Sequence, residues 1–131
     1  MDKELLSCIL SCKGQKKSFT DCKKIFMYVK NYCSHSEAAA KYAKTLLNTK
    51  DIHVLDVLTN KYVSPDDLKQ PTPPKPDTHL IQAYNTLKKY AKTVPQIFVL
   101  TSNGWSYVGG KSDFIGASNK TMETMFREVK F

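Results

Sequence analysis

The sequence predicts an α/β domain built on a four-stranded mixed sheet with helices on both faces. Three observations lead there: short apolar runs rich in β-branched and aromatic residues, helical periodicity between them, and the order β-α-β, connection, α-β-β-α. A strand, crossover helix and strand make a parallel pair, with helices covering both faces of the sheet. The short "TSNG" turn between the last two apolar runs makes an antiparallel hairpin, so the sheet is mixed.

Residues 1–22 read as an N-terminal extension holding a short helix, in which Cys8 and Cys12 stand four positions apart as buried apolar thiols. "KKIFMYV", Lys23 to Val29, is the first strand. From Ser34 the pattern changes to "SHSEAAAKYAKTLLN", rich in alanine and good helix formers. Ser34 is the expected N-cap, and Glu37 three positions on completes a capping box. "IHVLDVL", Ile52 to Leu58, is the second strand. The next segment, "YVSPDDLKQPTPPKPD", carries five of the six prolines and predicts an irregular, exposed connection, a Pro-rich insert at about 63–77. "THLIQAYNTLKKYAK" is helical by periodicity, "QIFVL" and "GWSYVGG" are the third and fourth strands, and "DFIGASNKTMETMFREVKF" closes the chain as a helix weakened in its first turns by Gly116.

Length and composition narrow the function. A chain of 131 residues with 41% hydrophobic content suits one domain with a modest core. The net charge of +8 suits anionic partners, but no block of five consecutive basic residues is present, which argues against a nucleic-acid tail. No apolar stretch approaches the length of about 18 residues needed to span a bilayer, so no membrane partner is expected. "LLSCILSC" follows the acidic "MDKE" and precedes no small-residue cleavage site, which points to the cytoplasm. Cys8, Cys12, Cys22 and Cys33 all lie early in the chain, where they neither staple a disulfide framework nor match zinc-ligand spacing.

Cys33 is the candidate for chemistry. It falls at the turn from the first strand into the first long helix, where free backbone N–H groups and the positive end of the helix dipole favour a thiolate, and Lys30 adds a cation. The alternative from this stretch alone is a buried core cysteine.

The strand, the turn "KNYCSHS" and the following helix resemble the active-site segment of glutaredoxins. "KTVPQIFV", Lys92 to Val99, is similar to that family's Thr-Val-Pro segment, and "YVGGKSDF", Tyr107 to Phe114, to its Gly-Gly signature. The resemblance covers about Lys23 to Lys130 and implies a thioredoxin-like fold over residues 23–131, with the N-terminal helix as an addition. It implies Cys33 as nucleophile and a glutathione site formed by Lys30, Tyr32, His35, Thr93, Val94, Pro95, Gly110, Lys111, Ser112 and Asp113, with Lys92 assisting. The Val94–Pro95 peptide would be cis, and Val94 would offer its backbone to the cysteinyl part of glutathione. Gly109 and Gly110 would let the backbone approach the γ-glutamyl carboxylate, and Asp113 would pair with its ammonium.

Ser36 stands where a dithiol member has its second cysteine, so the implied chemistry is monothiol, with Ser36 left to tune the thiolate. Cys22 precedes the first strand and is too far along it to resolve Cys33. The implied cosubstrate is glutathione, and the implied partners are glutathionylated or disulfide-containing proteins. A rival within the family is a carrier in which Cys33 and glutathione ligate a [2Fe-2S] cluster shared by a dimer; otherwise a monomer is expected. A rival of another class is a non-catalytic basic binding module on the same scaffold.

Overall fold

The computed structural model describes residues 3–11, 22–31, 33–72, 78–89 and 93–115. In chain order the elements are α1 (Lys3–Leu10), β1 (Lys24–Val29), α2 (Ser34–Leu46), a 3-10 turn (Thr49–Asp51), β2 (Ile52–Asp56), β3 (Lys61–Ser64), β4 (Asp67–Thr72), α3 (Thr78–Leu87), β5 (Gln96–Thr101), β6 (Gly104–Gly109) and α4 (Lys111–Ile115). The strands form one mixed sheet in the order β4-β3-β2-β1-β5-β6. β1 runs parallel to β2 and antiparallel to β5, and the remaining pairs are antiparallel.

β1 is central, and Ile25 to Val29 are all buried because helices cover both of its faces. The period of two then divides the side chains between two cores. Ile25, Met27 and Val29 join Ile52, Val54, Ile97 and Val99 under α2 and α4. Phe26 and Tyr28 join Leu55, Phe98, Trp105 and Tyr107 under α1 and α3. On the first face, Ala39, Ala40 and Ala43 of α2 belong to the buried cluster over the sheet, and Phe114 of α4 joins them, edge-on to Tyr42. On the second face, α1 contributes Leu5, Cys8 and Ile9, and α3 contributes Leu80, Ala83 and Leu87. Tyr28 donates its buried hydroxyl to the Leu80 carbonyl at 2.6 Å, joining sheet to helix.

The sheet has six strands rather than the expected four. The two additional strands, β3 and β4, come from the segment expected to be an irregular Pro-rich connection. After β2, Asp56 accepts from the Leu58 N–H with its side chain and from the Asn60 N–H with its carbonyl, and Asn60 takes the left-handed conformation at φ 56°. This turn sends the chain back alongside β2, with Val54 opposite Val63. Pro71 is tolerated because β4 is the outer strand, where a missing N–H breaks no interior ladder. At the turn between β3 and β4, Asp66 pairs with Lys44 at 3.0 Å and accepts from Thr49. Of the expected insert, residues 73–77 lie outside the described residues.

Smaller differences occur at helix ends. Cys33, not Ser34, is the N-cap of α2. The last helix starts at Lys111, two residues before the expected position, and the rest of it from Gly116 lies outside the described residues. No helix among the described residues is long and apolar enough to cross a membrane.

Candidate active site

Register gathers three distant segments at one end of the sheet. Tyr28 of β1 faces Gln96 of β5, so the chain leaving β1 toward Lys30 and Cys33 passes the Thr93–Pro95 segment entering β5. Ile97 of β5 faces Gly109 of β6, which brings the Gly109–Asp113 turn to the same end. A Cβ placed on Gly110 would lie 3.6 Å from the Pro95 carbonyl oxygen, so the glycine turn abuts that proline directly.

Cys33 is a half-buried free thiol at the mouth of α2. Its backbone starts the helix: its N–H donates to the Lys30 carbonyl at 3.2 Å and its carbonyl accepts the Glu37 N–H at 3.0 Å. The thiol closes no capping hydrogen bond in this geometry. Burial on its own pushes the thiol up, but the Ser36 backbone N–H, the Ser36 hydroxyl, the His35 backbone N–H and the Lys30 charge together outweigh it. The net result is a thiol held below its ordinary range.

Ser36 is fully buried, and its oxygen accepts from the Lys30 N–H at 3.4 Å. That acceptance leaves the hydroxyl proton free to point at the sulfur. Lys30 and His35 are exposed, and Lys30 contributes charge from the end of β1. Tyr32 and Lys92 lie outside the described residues.

In the second segment Thr93 is exposed, Val94 half-buried and Pro95 buried, and the Val94–Pro95 peptide is cis. In the third segment Gly109 adopts φ +120° and Gly110 precedes α4. Asp113 reaches back so that Oδ2 accepts the Gly110 N–H at 3.1 Å, while the Phe114 N–H donates to the Gly110 carbonyl. Asp113 thus does the work of the acid in a capping box. Lys111 is half-buried, and Ser112 and Asp113 are exposed.

The remaining thiols stand apart. Cys22 precedes β1, at the end of that strand opposite Lys30, and its Sγ points to the Lys24 carbonyl. Cys8 is a buried residue of α1, on the face of the sheet away from α2. Cys12 lies outside the described residues. No group of three or more His, Cys, Asp or Glu side chains among the described residues could hold a metal ion. Cys33 supplies one thiolate where an iron–sulfur cluster takes four ligands, so a cluster would need donors from outside this one site.

Two residues at this end escaped the sequence reading. Gln96 and Tyr107 are buried and hydrogen-bonded to one another, and Gln96 also holds Thr93. Their only sequence signal is a polar residue opening an apolar strand.

No protein-family model matches this chain, and neither a curated protein nor a solved structure matches it.

Proposed function

We propose that the chain is a glutathione-dependent thiol-disulfide oxidoreductase of the glutaredoxin type, on a thioredoxin-like fold, working by a monothiol mechanism. The observation that carries this reading is the half-exposed Cys33 thiol at the mouth of α2, with its acidity raised by Ser36, His35 and Lys30. The thiolate is the form that attacks disulfides, and a lowered thiol pKa enlarges its share.

In the first step the Cys33 thiolate attacks the glutathione sulfur of a protein–glutathione mixed disulfide. A Cys33–glutathione disulfide forms, and the protein sulfur leaves as thiolate. A second glutathione thiolate then attacks the glutathione sulfur of that disulfide, so that oxidised glutathione departs and the Cys33 thiolate returns. The net exchange turns the mixed disulfide and one free glutathione into the reduced protein thiol and oxidised glutathione, whose other half is the glutathionyl group carried in by the substrate, and no second protein thiol is required. Ser36 favours the anion in both the attacking and the leaving role.

The ligand would lie across the three gathered segments. Val94 offers backbone groups in the manner of strand addition. Lys30, with Lys111, faces the carboxylates of the tripeptide, Gly110 and Ser112 leave room for close approach, and Asp113 meets the ammonium. Tyr32 and His35 would flank the groove, and Thr93 and Pro95 would frame its floor. The net charge of +8 raises the encounter rate with an anionic ligand. Such an enzyme works where glutathione is abundant and thiols stay reduced, which is the cytoplasm.

The test is reduction of a small glutathione mixed disulfide coupled to consumption of glutathione. Turnover should be present in the wild type and abolished by Cys33→Ser, with the far-UV spectrum unchanged. Full activity in that variant would refute Cys33 as the nucleophile. A visible absorbance band in the purified protein would instead favour a cluster carrier.

A further inference from the structure

Gln96 opens an otherwise apolar strand and is only 2% exposed. A carboxamide so placed needs hydrogen bonds at both ends, and each end reaches a different part of the chain. Nε2 donates to the Thr93 carbonyl oxygen at 2.7 Å and approaches Thr93 Oγ1 at 3.3 Å. Oε1 accepts from the Tyr107 hydroxyl. Tyr107 is itself buried on β6, and its ring packs on Phe98 with centroids 5.1 Å apart. Turning the carboxamide over would set its oxygen against the Thr93 carbonyl, so its orientation is fixed. One side chain therefore ties the segment before Pro95, the start of β5 and the middle of β6 together.

We propose that Gln96 and Tyr107 are positioning residues that hold Thr93–Val94 as a preset backbone ledge for the tripeptide, so that they act on glutathione recognition rather than on the thiol. The proposal rests on the glutathione reading above. The Thr93 carbonyl is engaged from inside by Gln96, which turns the outer side of the segment, with exposed Thr93 and half-buried Val94, toward the ligand. A ledge ordered in advance spares the ligand the cost of ordering it on binding. Without the brace that cost falls on recognition. The groups that lower the Cys33 thiol lie on a different stretch, Lys30 to Ser36.

Three variants separate this role from general destabilisation. Tyr107→Phe removes the hydroxyl that Gln96 accepts from, and Gln96→Met removes the carboxamide at similar volume. Combining them replaces both members of the Gln96–Tyr107 hydrogen bond by apolar groups, so that neither faces an unmade partner, while Thr93 loses its brace. Each variant is assayed for KM and kcat with a glutathione mixed disulfide, and for the pH profile of Cys33 alkylation by iodoacetamide. KM should rise about tenfold, equivalent to about 1.4 kcal/mol, with kcat within about twofold and the alkylation profile superimposable on wild type. The double variant should fold and still show the raised KM, with no further loss beyond either single change. A folded double variant with wild-type KM overturns the proposal, as does an alkylation profile that shifts. If the wild type itself fails to turn over the substrate, the glutathione reading fails and the brace falls with it. If the wild type turns over and the variants match it, the brace alone fails.

Discussion

Replacing Gly109 by alanine should destabilise the fold by an amount that depends on Asp113. Gly109 sits at φ +120°, and a Cβ there would lie 2.5 Å from Asp113 Oδ2 and 3.0 Å from its Cγ. That oxygen is the one that accepts the Gly110 N–H at 3.1 Å. The methyl group therefore strains the backbone and evicts the carboxylate from its hydrogen bond. A side chain in so sparsely populated a backbone region costs about 1–3 kcal/mol. Losing an exposed charge-assisted bond adds about 0.5–1 kcal/mol after solvent screening. Stiffening the unfolded chain returns about 0.5 kcal/mol. The net is about 2 kcal/mol, or roughly 6–10 °C in Tm for a domain of this size.

Urea unfolding of Gly109→Ala, Asp113→Ala and the double variant measures the coupling between the two positions. In the Asp113→Ala background the cost of the methyl group should fall by about 1 kcal/mol, because the evicted oxygens are gone and the backbone strain remains. A Gly109→Ala protein within about 0.5 kcal/mol of wild type, or the same cost in both backgrounds, would refute the geometry of this turn.

Four further outcomes are expected. The rate of Cys33 alkylation should rise with pH about a midpoint below that of a free thiol, because the thiolate is present above its lowered pKa and is lost as pH falls through it. Ser36→Ala keeps the backbone N–H but removes the hydroxyl, so the midpoint should move upward; a midpoint unmoved or lowered would remove the hydroxyl from the account. Ser36→Cys should allow an internal disulfide with Cys33 under mild oxidation, read as the loss of two titratable thiols, and retention of both would mean that the side chains diverge. Phe114→Ala should cost about 3–5 kcal/mol in urea unfolding, since the ring is fully buried and edge-on to Tyr42 at 5.1 Å; a loss under about 1 kcal/mol would mean that α4 is not packed as described.

The parts of the fold that could be read from sequence are those where one signal dominates. β1 and β5 are continuous apolar runs because both of their faces are buried, and α2 is announced by Ala38 to Ala40 and the residues around them. The β3–β4 hairpin was concealed because five prolines outweighed the strand-like "KYVS", and proline's penalty depends on whether the strand is interior or outermost, which a linear sequence does not reveal. Serine is a favoured N-cap and cysteine is not, so the sequence points one residue too far along; the extended backbone that opens the helix is that of Cys33.

Within the candidate site, Lys30, Cys33 and Ser36 were legible since they are near neighbours in one turn. The Thr93–Pro95 and Gly109–Asp113 segments were placed by resemblance, and strand register then brought them to the same end of the sheet. The Gln96–Tyr107 pair was invisible because it depends on an antiparallel register that sets Phe98 opposite Tyr107.

The contacts that sharpen the sulfur's acidity all come from a single short stretch, Lys30 to Ser36, whereas the surfaces expected to choose its reaction partner come from strands threaded much later in the chain. The sulfur's acidity is therefore set locally, by residues of the turn that carries it. On the reading proposed above, the choice of reaction partner would depend instead on segments distant in sequence that only the register of β5 and β6 brings alongside. On that same reading, loosening the β5–β6 hairpin would leave the thiol as acidic as before and cost it only its selectivity.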